Sequence, residues 1–313
     1  MNRPLRVVLI LSENWTLTPP SDLRALVRFA QEAEKAGVDV VMVSEHVVLG
    51  PSASAQGVPD NPREYALPGN QDPATPWPDS LTLLSAIAGA TTRIRLVAGA
   101  VIPPLRHPLL IAKQLATLDL LSEGRLVVQP TVSWHRDEYE ALGVEFTRRG
   151  ELLDEHLAAW QILWRERPAT FRGDHYRFHD VSFEPKPFRP EGPTLWFGGS
   201  GLHERLLRRL VRYGSGFNPL GRPMSEELGR LALAMADAGR DPSELEMVGG
   251  MRAVFPDAAS VAELGPAMGT IPEQIAAGFT TFCIKPSQFL DDPSRIGPWC
   301  REVVTRVDAL AAR

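Results

Sequence analysis

The sequence has few of the features that mark specialised classes of protein. Only two cysteines occur, Cys283 and Cys300, which argues against a disulfide framework and favours the reducing cytoplasm. The seven histidines are dispersed with no His-x-His, so we predict no metal site. The N-terminal run Leu5–Leu11 is too short to span a bilayer. Because the net charge is −5 and no Lys/Arg run occurs, we expect neither nucleic acid nor membrane as a partner.

The 313 residues do contain an alternation of short β-branched runs with longer helical patterns, which is typical of β/α units around a parallel sheet. No G-x-G-x-x-G follows the first run, as a doubly wound sheet would need. The pattern therefore predicts a (β/α)8 TIM barrel, with residues 1–313 forming a single domain. The predicted strands are Leu5–Leu11, Val38–Val43, Ile94–Gly99, Leu126–Gln129, Leu195–Gly198, Gly216–Asn218, Met247–Phe255 and Thr280–Lys285.

Two segments interrupt this alternation, so we expect loop insertions after strands two and four. Val48–Pro78, crowded with Pro, Gly and Asn, follows the second strand at the end where barrel active sites lie, and it is a candidate lid. The alternative is an ordered surface loop without a role. The other segment, Arg167–Pro193, is rich in proline.

Polar or small residues follow several predicted strands, at the edge where a barrel performs its chemistry. Ser44-Glu45-His46 follows strand two. The imidazole of His46 can exchange a proton near neutral pH, although a lone histidine is often structural. Gly99 and Ala100 let a flat ring approach the backbone, or merely pack a strand against a helix. The turn Gly198-Gly199-Ser200 precedes a helix and can offer N–H groups to an anion. Leu202 stands where a G-x-S-x-G elbow needs glycine, which excludes that motif.

Four blocks of the sequence follow one another in an order specific to one family. They are residues 36–46 (AGVDVVMVSEH), 93–125, 134–143 and 195–200 (LWFGGS). In these blocks the chain resembles the luciferase-like monooxygenase superfamily, and most of all its branch of deazaflavin (coenzyme F420)-dependent oxidoreductases. The C-terminal third is less similar.

The resemblance implies roles for several of these residues. His46 matches an active-site histidine beside the reactive ring, and Gly198-Gly199-Ser200 matches a phosphate-binding turn. A backbone bulge after strand three, often with a non-prolyl cis peptide, would fall at Gly99–Ala100 and press on the ring. Relatives are often dimers, so we expect a homodimer.

One departure from the family follows strand four. Where relatives commonly have Gly-x-Gly-x-Gly before a tryptophan, this chain has Gln129, Thr131 and Ser133 before Trp134. We infer that these polar groups face the cofactor tail or the substrate, unless the cofactor lies in a different pose. Trp134 is a candidate catalytic residue or a plain core aromatic. Arg136, Asp137 and Glu138 are candidate substrate contacts, but a charge cluster that opens a helix is more typical of a solvated first turn.

The family is divided between deazaflavin users and enzymes of reduced FMN that activate oxygen. We favour an oxidoreductase that transfers hydride between F420 and a small organic substrate, because the Trp-x-x-x-Glu-Tyr segment and the preceding block look most like that branch. An FMNH2-dependent monooxygenase is the alternative, and a non-catalytic flavin-binding relative is a second one. His46 would position the substrate or supply a proton, and Asn14, Trp15 and Val48–Pro78 would form the substrate side. Asn14 is a further candidate catalytic residue.

Overall fold

Strands and helices alternate along most of the chain. The computed structural model describes residues 5–65, 67–221 and 223–311. The strands in these ranges are β1 (Arg6–Ile10), β2 (Val40–Val43), β3 (Arg95–Val101), β4 (Leu126–Pro130), β5 (Ala169–Arg172), β6 (Arg177–Val181), β7 (Thr194–Phe197), β8 (Gly216–Phe217), β9 (Glu246–Gly250) and β10 (Thr281–Ile284). Eight of them pair in parallel and close into a barrel in the order β1-β10-β9-β8-β7-β4-β3-β2. The predicted TIM barrel is confirmed, and each predicted strand overlaps one barrel strand.

The α-helices of the same ranges pack around the barrel or cover its ends. They are α1 (Leu23–Ala36), α2 (Ser80–Ala90), α3 (Pro108–Leu121), α4 (Arg136–Ala141), α5 (Arg149–Arg165), α6 (Glu204–Tyr213), α7 (Ser225–Asp237), α8 (Leu264–Met268), α9 (Ile271–Ala276) and α10 (Ile296–Ala311). The Asp22 carboxylate accepts a hydrogen bond from the Ala25 N–H at 3.1 Å and so caps α1, and Gly37 ends that helix with a φ of 91°. No helix in the described ranges is long and apolar enough to cross a membrane.

Side chains that alternate along the strands fill the barrel in layers. At the N-terminal end, the Glu246 carboxylate accepts hydrogen bonds from Arg6 at 3.0 Å, Arg95 at 2.9 Å and Thr281 at 2.7 Å. The middle layer is apolar and consists of Val8, Val40, Val97, Val127, Trp196 and Val248. The layer above it, at the C-terminal ends of the strands, forms the floor of the candidate site.

Val48–Pro78, the candidate lid between β2 and α2, connects the loops that follow β4 and β9, and we call it the lid segment. On the β4 side, the Gly50 N–H donates to His135 Nε2 at 2.7 Å. On the β9 side, Asn61 Nδ2 donates to the carbonyl oxygen of Ser260 at 2.9 Å. Both loops lie at the C-terminal mouth of the barrel, so the segment spans that mouth. That it acts as a lid stays a prediction.

Two details differ from the sequence-based expectation. The second Pro-rich segment contains the antiparallel pair β5–β6, in which Phe171 lies opposite Phe178 and the two rings stack at 5.7 Å. The strand predicted to reach Phe255 ends at Gly250. Beyond it the chain leaves the barrel, and Val254 is 71% exposed.

Candidate active site

Glycines shape the floor of the site, at inward-facing positions above the valine layer. A Cβ on Gly99 would lie 2.8 Å from Val97 Cγ1, and one on Gly198 would lie 2.3 Å from the carbonyl oxygen of Asn218. Because neither position has room for a side chain, the floor there is bare backbone. A flat ring can therefore approach it closely.

The backbone after β3 is irregular at the predicted place. The peptide bond between Gly99 and Ala100 is cis, and the register of β3 against β4 shifts between Gly99 and Val101. The predicted bulge and the predicted cis peptide are both confirmed. The carbonyl oxygen of Ala100 accepts a hydrogen bond from the Glu45 N–H at 3.3 Å, which joins the bulge to the segment after β2.

A buried ion pair fixes this segment. Glu45 is 5% exposed, and its carboxylate accepts hydrogen bonds from Arg106 at 2.6 Å, Ser80 at 2.7 Å and the Ile102 N–H at 2.9 Å. These contacts join the end of β2 to the start of α2 and to the turn after β3. Glu45 thereby holds the next residue, His46, in place. This partner is not evident from the sequence, because Arg106 follows a different strand.

His46 lies among aromatic rings and faces a carboxylate. Its Nδ1 is 3.3 Å from Glu138 Oε2, and its side chain is 10% exposed. The rings of Trp77, from the lid segment, and Trp134 meet the imidazole edge-on, with centroids 5.2 and 5.8 Å away. The structure therefore brings Trp134 to His46. Since Nδ1 faces Glu138, Nε2 is the nitrogen left for a ligand.

Glu138 is completely buried, so the prediction of a solvated turn is wrong at this position. Its carboxylate accepts a hydrogen bond from the Val47 N–H at 2.5 Å and contacts Ser133 Oγ at 3.3 Å. Ser133, predicted to face the cofactor tail or the substrate, thus contacts the partner of His46. The sequence signal for Glu138 was its place in the Trp-x-x-x-Glu-Tyr segment, which indicated a family but not burial.

His135 is also fully buried and anchors the lid segment. Because the Gly50 N–H donates to its Nε2, the ring carries its proton on Nδ1. Burial lowers the pKa of His135 below its ordinary value, which keeps the ring neutral. Within the described part of the chain, Nδ1 has no hydrogen-bond partner.

Gln129 and Thr131 lie next to the bulge, at the end of β4. Asn218 Nδ2 donates to Gln129 Oε1 at 2.9 Å, and the Gln129 amide nitrogen lies beside Gly198. The Thr131 N–H donates to the carbonyl oxygen of Val101 at 2.8 Å. The Gln129 side chain thus borders the glycine floor, and the Thr131 backbone lies beside the bulge. That these residues bind a cofactor stays a prediction.

Asn14, predicted to be catalytic, has no exposed surface. Its Nδ2 donates to the carbonyl oxygen of Ile10 at 2.9 Å, and its Oδ1 accepts from the Ser287 N–H at 3.0 Å. These bonds join the ends of β1 and β10. The geometry therefore gives Asn14 a structural role and leaves it no contact with a substrate.

The turn Gly198-Gly199-Ser200 precedes α6, and Ser200 is exposed. A carboxylate lies beside this turn, because the Leu202 N–H donates to Glu227 Oε1 at 2.9 Å. Hydrogen bonds from the Leu202 and Met224 N–H groups lower the pKa of Glu227, so it is charged at neutral pH. An anion at the turn would therefore meet both donors and a negative charge.

Comparison with known proteins agrees with this fold. Over 136 residues the chain is 34% identical to an FMNH2-dependent dimethylsulfone monooxygenase of Pseudomonas putida, a match that spans 42% of this chain but only 37% of that protein. Over 216 residues it is 32% identical to an uncharacterised protein of Mycobacterium bovis, which covers 68% of this chain and 74% of that protein.

A solved structure has the same fold over nearly its whole length. It is an F420-dependent secondary alcohol dehydrogenase in complex with an F420-acetone adduct, with a TM-score of 0.70 and 18% identity, covering 97% of this chain and 99% of that one. At this identity the likeness concerns the fold alone. The family model described as luciferase-like monooxygenase matches residues 6–264. The chain therefore belongs to the luciferase-like monooxygenase family.

Proposed function

We propose that the protein is an oxidoreductase that transfers hydride between the deazaflavin F420 and a small organic substrate. The floor of the site supports a planar cofactor, because Gly99 and Gly198 stand where a Cβ would collide with its neighbours. Gln129 and Thr131 would border the ring or its tail, and Ala100 would lie against it through the bulge.

The observation that favours F420 over FMN is the carboxylate beside the phosphate turn. FMN ends in a phosphate monoester, which carries about 1.5–2 negative charges at neutral pH. At this turn F420 would place a phosphodiester, which carries about one negative charge, while the carboxylates of its tail would lie beyond the turn. Glu227, which is hydrogen-bonded to Leu202 at 2.9 Å, repels the more highly charged group more strongly. Gly198-Gly199-Ser200 would hold the diester.

Residues at the mouth would orient the substrate and handle its proton. The bound deazaflavin supplies or accepts the hydride. With Nδ1 facing Glu138, His46 holds or releases a proton at Nε2. Trp134 packs against the imidazole, and the lid segment limits the access of water.

A second candidate is an FMNH2-dependent monooxygenase that uses oxygen, which the similarity to the dimethylsulfone monooxygenase favours. A non-catalytic flavin-binding relative is the remaining alternative. The contact between His46 and the buried Glu138 argues against it, because a carboxylate that is costly to bury is placed here against the imidazole at the mouth of the barrel.

The deciding experiment is a pair of titrations of the purified protein, one with F420 and one with FMN, followed by cofactor fluorescence. We expect saturable F420 binding and weaker FMN binding. In Glu227→Gln, FMN affinity should rise by about tenfold and F420 affinity by less, since the removed repulsion is larger for the dianion. Glu226→Gln, at an exposed neighbour on α7, is the matched control and should change neither affinity.

The other possible outcomes of the titrations would favour one of the alternative functions or remove the charge argument. If the natural protein binds FMN more tightly than F420, the monooxygenase function replaces the proposed one. Binding of neither cofactor would leave the non-catalytic relative. Equal effects of Glu227→Gln on both cofactors would remove the charge argument.

A further inference from the structure

A lysine lies buried at the mouth of the barrel and is not one of the residues of the proposed site. Thr281, Cys283 and Lys285 alternate along and just beyond β10, and Cys283 belongs to the set that lines the barrel interior. Lys285 therefore projects inward above the floor. Its exposed fraction is 0%.

The ammonium group of Lys285 has weak partners for so buried a charge. It donates to the carbonyl oxygen of Glu64 at 3.4 Å, lies 4.0 Å from Glu13 Oε2, and lies 5.3 Å from the ring centre of Tyr65. An ammonium has three donors, and burying it is costly unless they are used. Only one donor has an acceptor within hydrogen-bond distance among the described residues.

The surrounding polar groups are also incompletely satisfied. Ser287 Oγ and Gln288 Oε1 are buried without a hydrogen-bond partner in the described ranges. Gln288 Nε2 donates to the carbonyl oxygen of Arg63 at 3.2 Å, so Gln288 and Lys285 reach the same turn of the lid segment. Burial, with Cys283 and Glu13 nearby, raises the pKa of Tyr65 well above its ordinary value, so its hydroxyl stays a neutral donor.

The charges favour an anion as the missing partner. In the Lys285–Glu13 pair, the Lys285 side chain is completely buried, whereas the Glu13 side chain is 19% exposed. Glu13 can therefore turn toward solvent and leave the ammonium to a ligand. A carboxylate has two oxygens, and it would accept one hydrogen bond from Lys285 and one from Tyr65.

We infer that Lys285 and Tyr65 bind the carboxylate of a small organic acid, which makes such acids the substrate class of this site. The inference rests on the proposed function only in treating the mouth as a substrate site. β10 pairs with β1, β1 with β2 and β2 with β3. A group held at Lys285 therefore lies across the mouth from the floor at Gly99, with His46, which follows β2, between them.

The test compares hexanoate with hexanamide, which match in shape and differ in charge. Binding to the full-length protein is followed by tryptophan fluorescence without turnover, so its result does not depend on which cofactor is used. We expect hexanoate to bind at least tenfold more tightly than hexanamide. Lys285→Met should abolish this preference, and Lys35→Met, at an exposed lysine on α1, should keep it.

A second variant keeps the test decisive if Lys285→Met does not fold. Glu13→Gln removes the competing carboxylate and should strengthen hexanoate binding by about tenfold, with hexanamide binding unchanged. Equal affinity of the natural protein for the two probes would overturn the inference. So would unchanged hexanoate binding in Glu13→Gln.

Discussion

The imidazole of His46 is held from several directions. Glu138 faces Nδ1 at 3.3 Å, and the rings of Trp77 and Trp134 meet it edge-on. A carboxylate beside one ring nitrogen selects the tautomer, so that a proton is exchanged at the other. Because the Val47 N–H holds Glu138 in turn, the exchanging nitrogen keeps a constant position.

Replacing His46 by alanine should lower kcat by about a hundredfold or more, the range that general acid–base groups contribute. The cofactor Kd should stay nearly the same, because the floor and the Gly-rich turn remain. Steady-state kinetics and a cofactor titration measure the two effects. His179→Ala, at an exposed histidine of β6, is the control. Equal turnover in both variants would remove His46 from the mechanism.

Glu138→Gln keeps the shape of the side chain but removes its charge. The amide can present either oxygen or NH2 to His46 Nδ1, so the tautomer is no longer selected, and kcat should fall by about tenfold or more. Glu138→Asp should restore part of the rate.

Glu140→Gln, on the exposed side of the same helix α4, is the matched control for this prediction. It should leave kcat unchanged. If Glu138→Gln lowers the melting temperature but leaves kcat unaltered, Glu138 serves only the fold.

The sequence predicts those features of the site that depend on nearby residues in the chain. The place of His46 after a strand made it a candidate, and the resemblance to the family implied the cis peptide at Gly99–Ala100. The role of Glu138 did not follow, because its burial arises only when α4 packs against the segment after β2. Asn14 was misread for a similar reason, since its partner Ser287 is brought near only by barrel closure.

The shape of the glycine floor depends on the bulge of β3. A Cβ on Gly99 would also lie 3.2 Å from Met42 Cε, in addition to its clash with Val97. Gly99→Ala should therefore lower the free energy of unfolding by about 1–3 kcal/mol, the usual cost of overpacking. It should also weaken cofactor binding by more than tenfold, because the methyl group displaces the floor.

Denaturant unfolding and the cofactor titrations check this prediction. Gly89→Ala is the control, because a Cβ there meets nothing within 4 Å and α2 favours alanine over glycine. Full cofactor affinity in Gly99→Ala would mean that the cofactor does not lie on this floor.

The elements themselves were largely predictable, because β-branched runs and apolar spacing mark strands and helices within the chain. The hairpin β5–β6 was missed, since proline-rich flanks outweighed the two short strands. The end of β9 was placed too late, because the apolar residues up to Phe255 look like strand but leave the barrel. Such errors occur where tertiary contacts decide the path of the chain.

A cluster of polar side chains joins the strands at the N-terminal end of the barrel. It consists of Glu246, Arg6, Arg95 and Thr281, and we call it the charged plug. Glu246 of β9 binds Arg6 of β1 and Arg95 of β3 at 3.0 and 2.9 Å, and Thr281 of β10 at 2.7 Å. One carboxylate thus joins four strands. The sequence could not reveal this cluster, because its members are far apart along the chain and meet only in the closed sheet.

Glu246→Gln should lower the free energy of unfolding by about 2–3 kcal/mol, less than for a fully buried pair because Arg6 and Arg95 are 30% and 26% exposed. Glu302→Gln, which breaks the exposed pair with Arg306, should cost less than about 0.5 kcal/mol. Urea unfolding at neutral pH measures both. Equal, small losses would mean that the plug does not stabilise the barrel.

The stabilisation of the fold by Glu246 should depend on pH. Burial alone would raise the pKa of Glu246, but Arg95, Thr281 and Arg6 together lower it below its ordinary value of 4.5. The unfolded chain therefore takes up a proton first, and the stabilisation is present above pH 4.5 and lost as the pH falls through the folded-state pKa. The difference in unfolding free energy between the natural protein and Glu246→Gln should shrink over that interval, whereas a constant difference would mean that the variant acts through packing instead of charge.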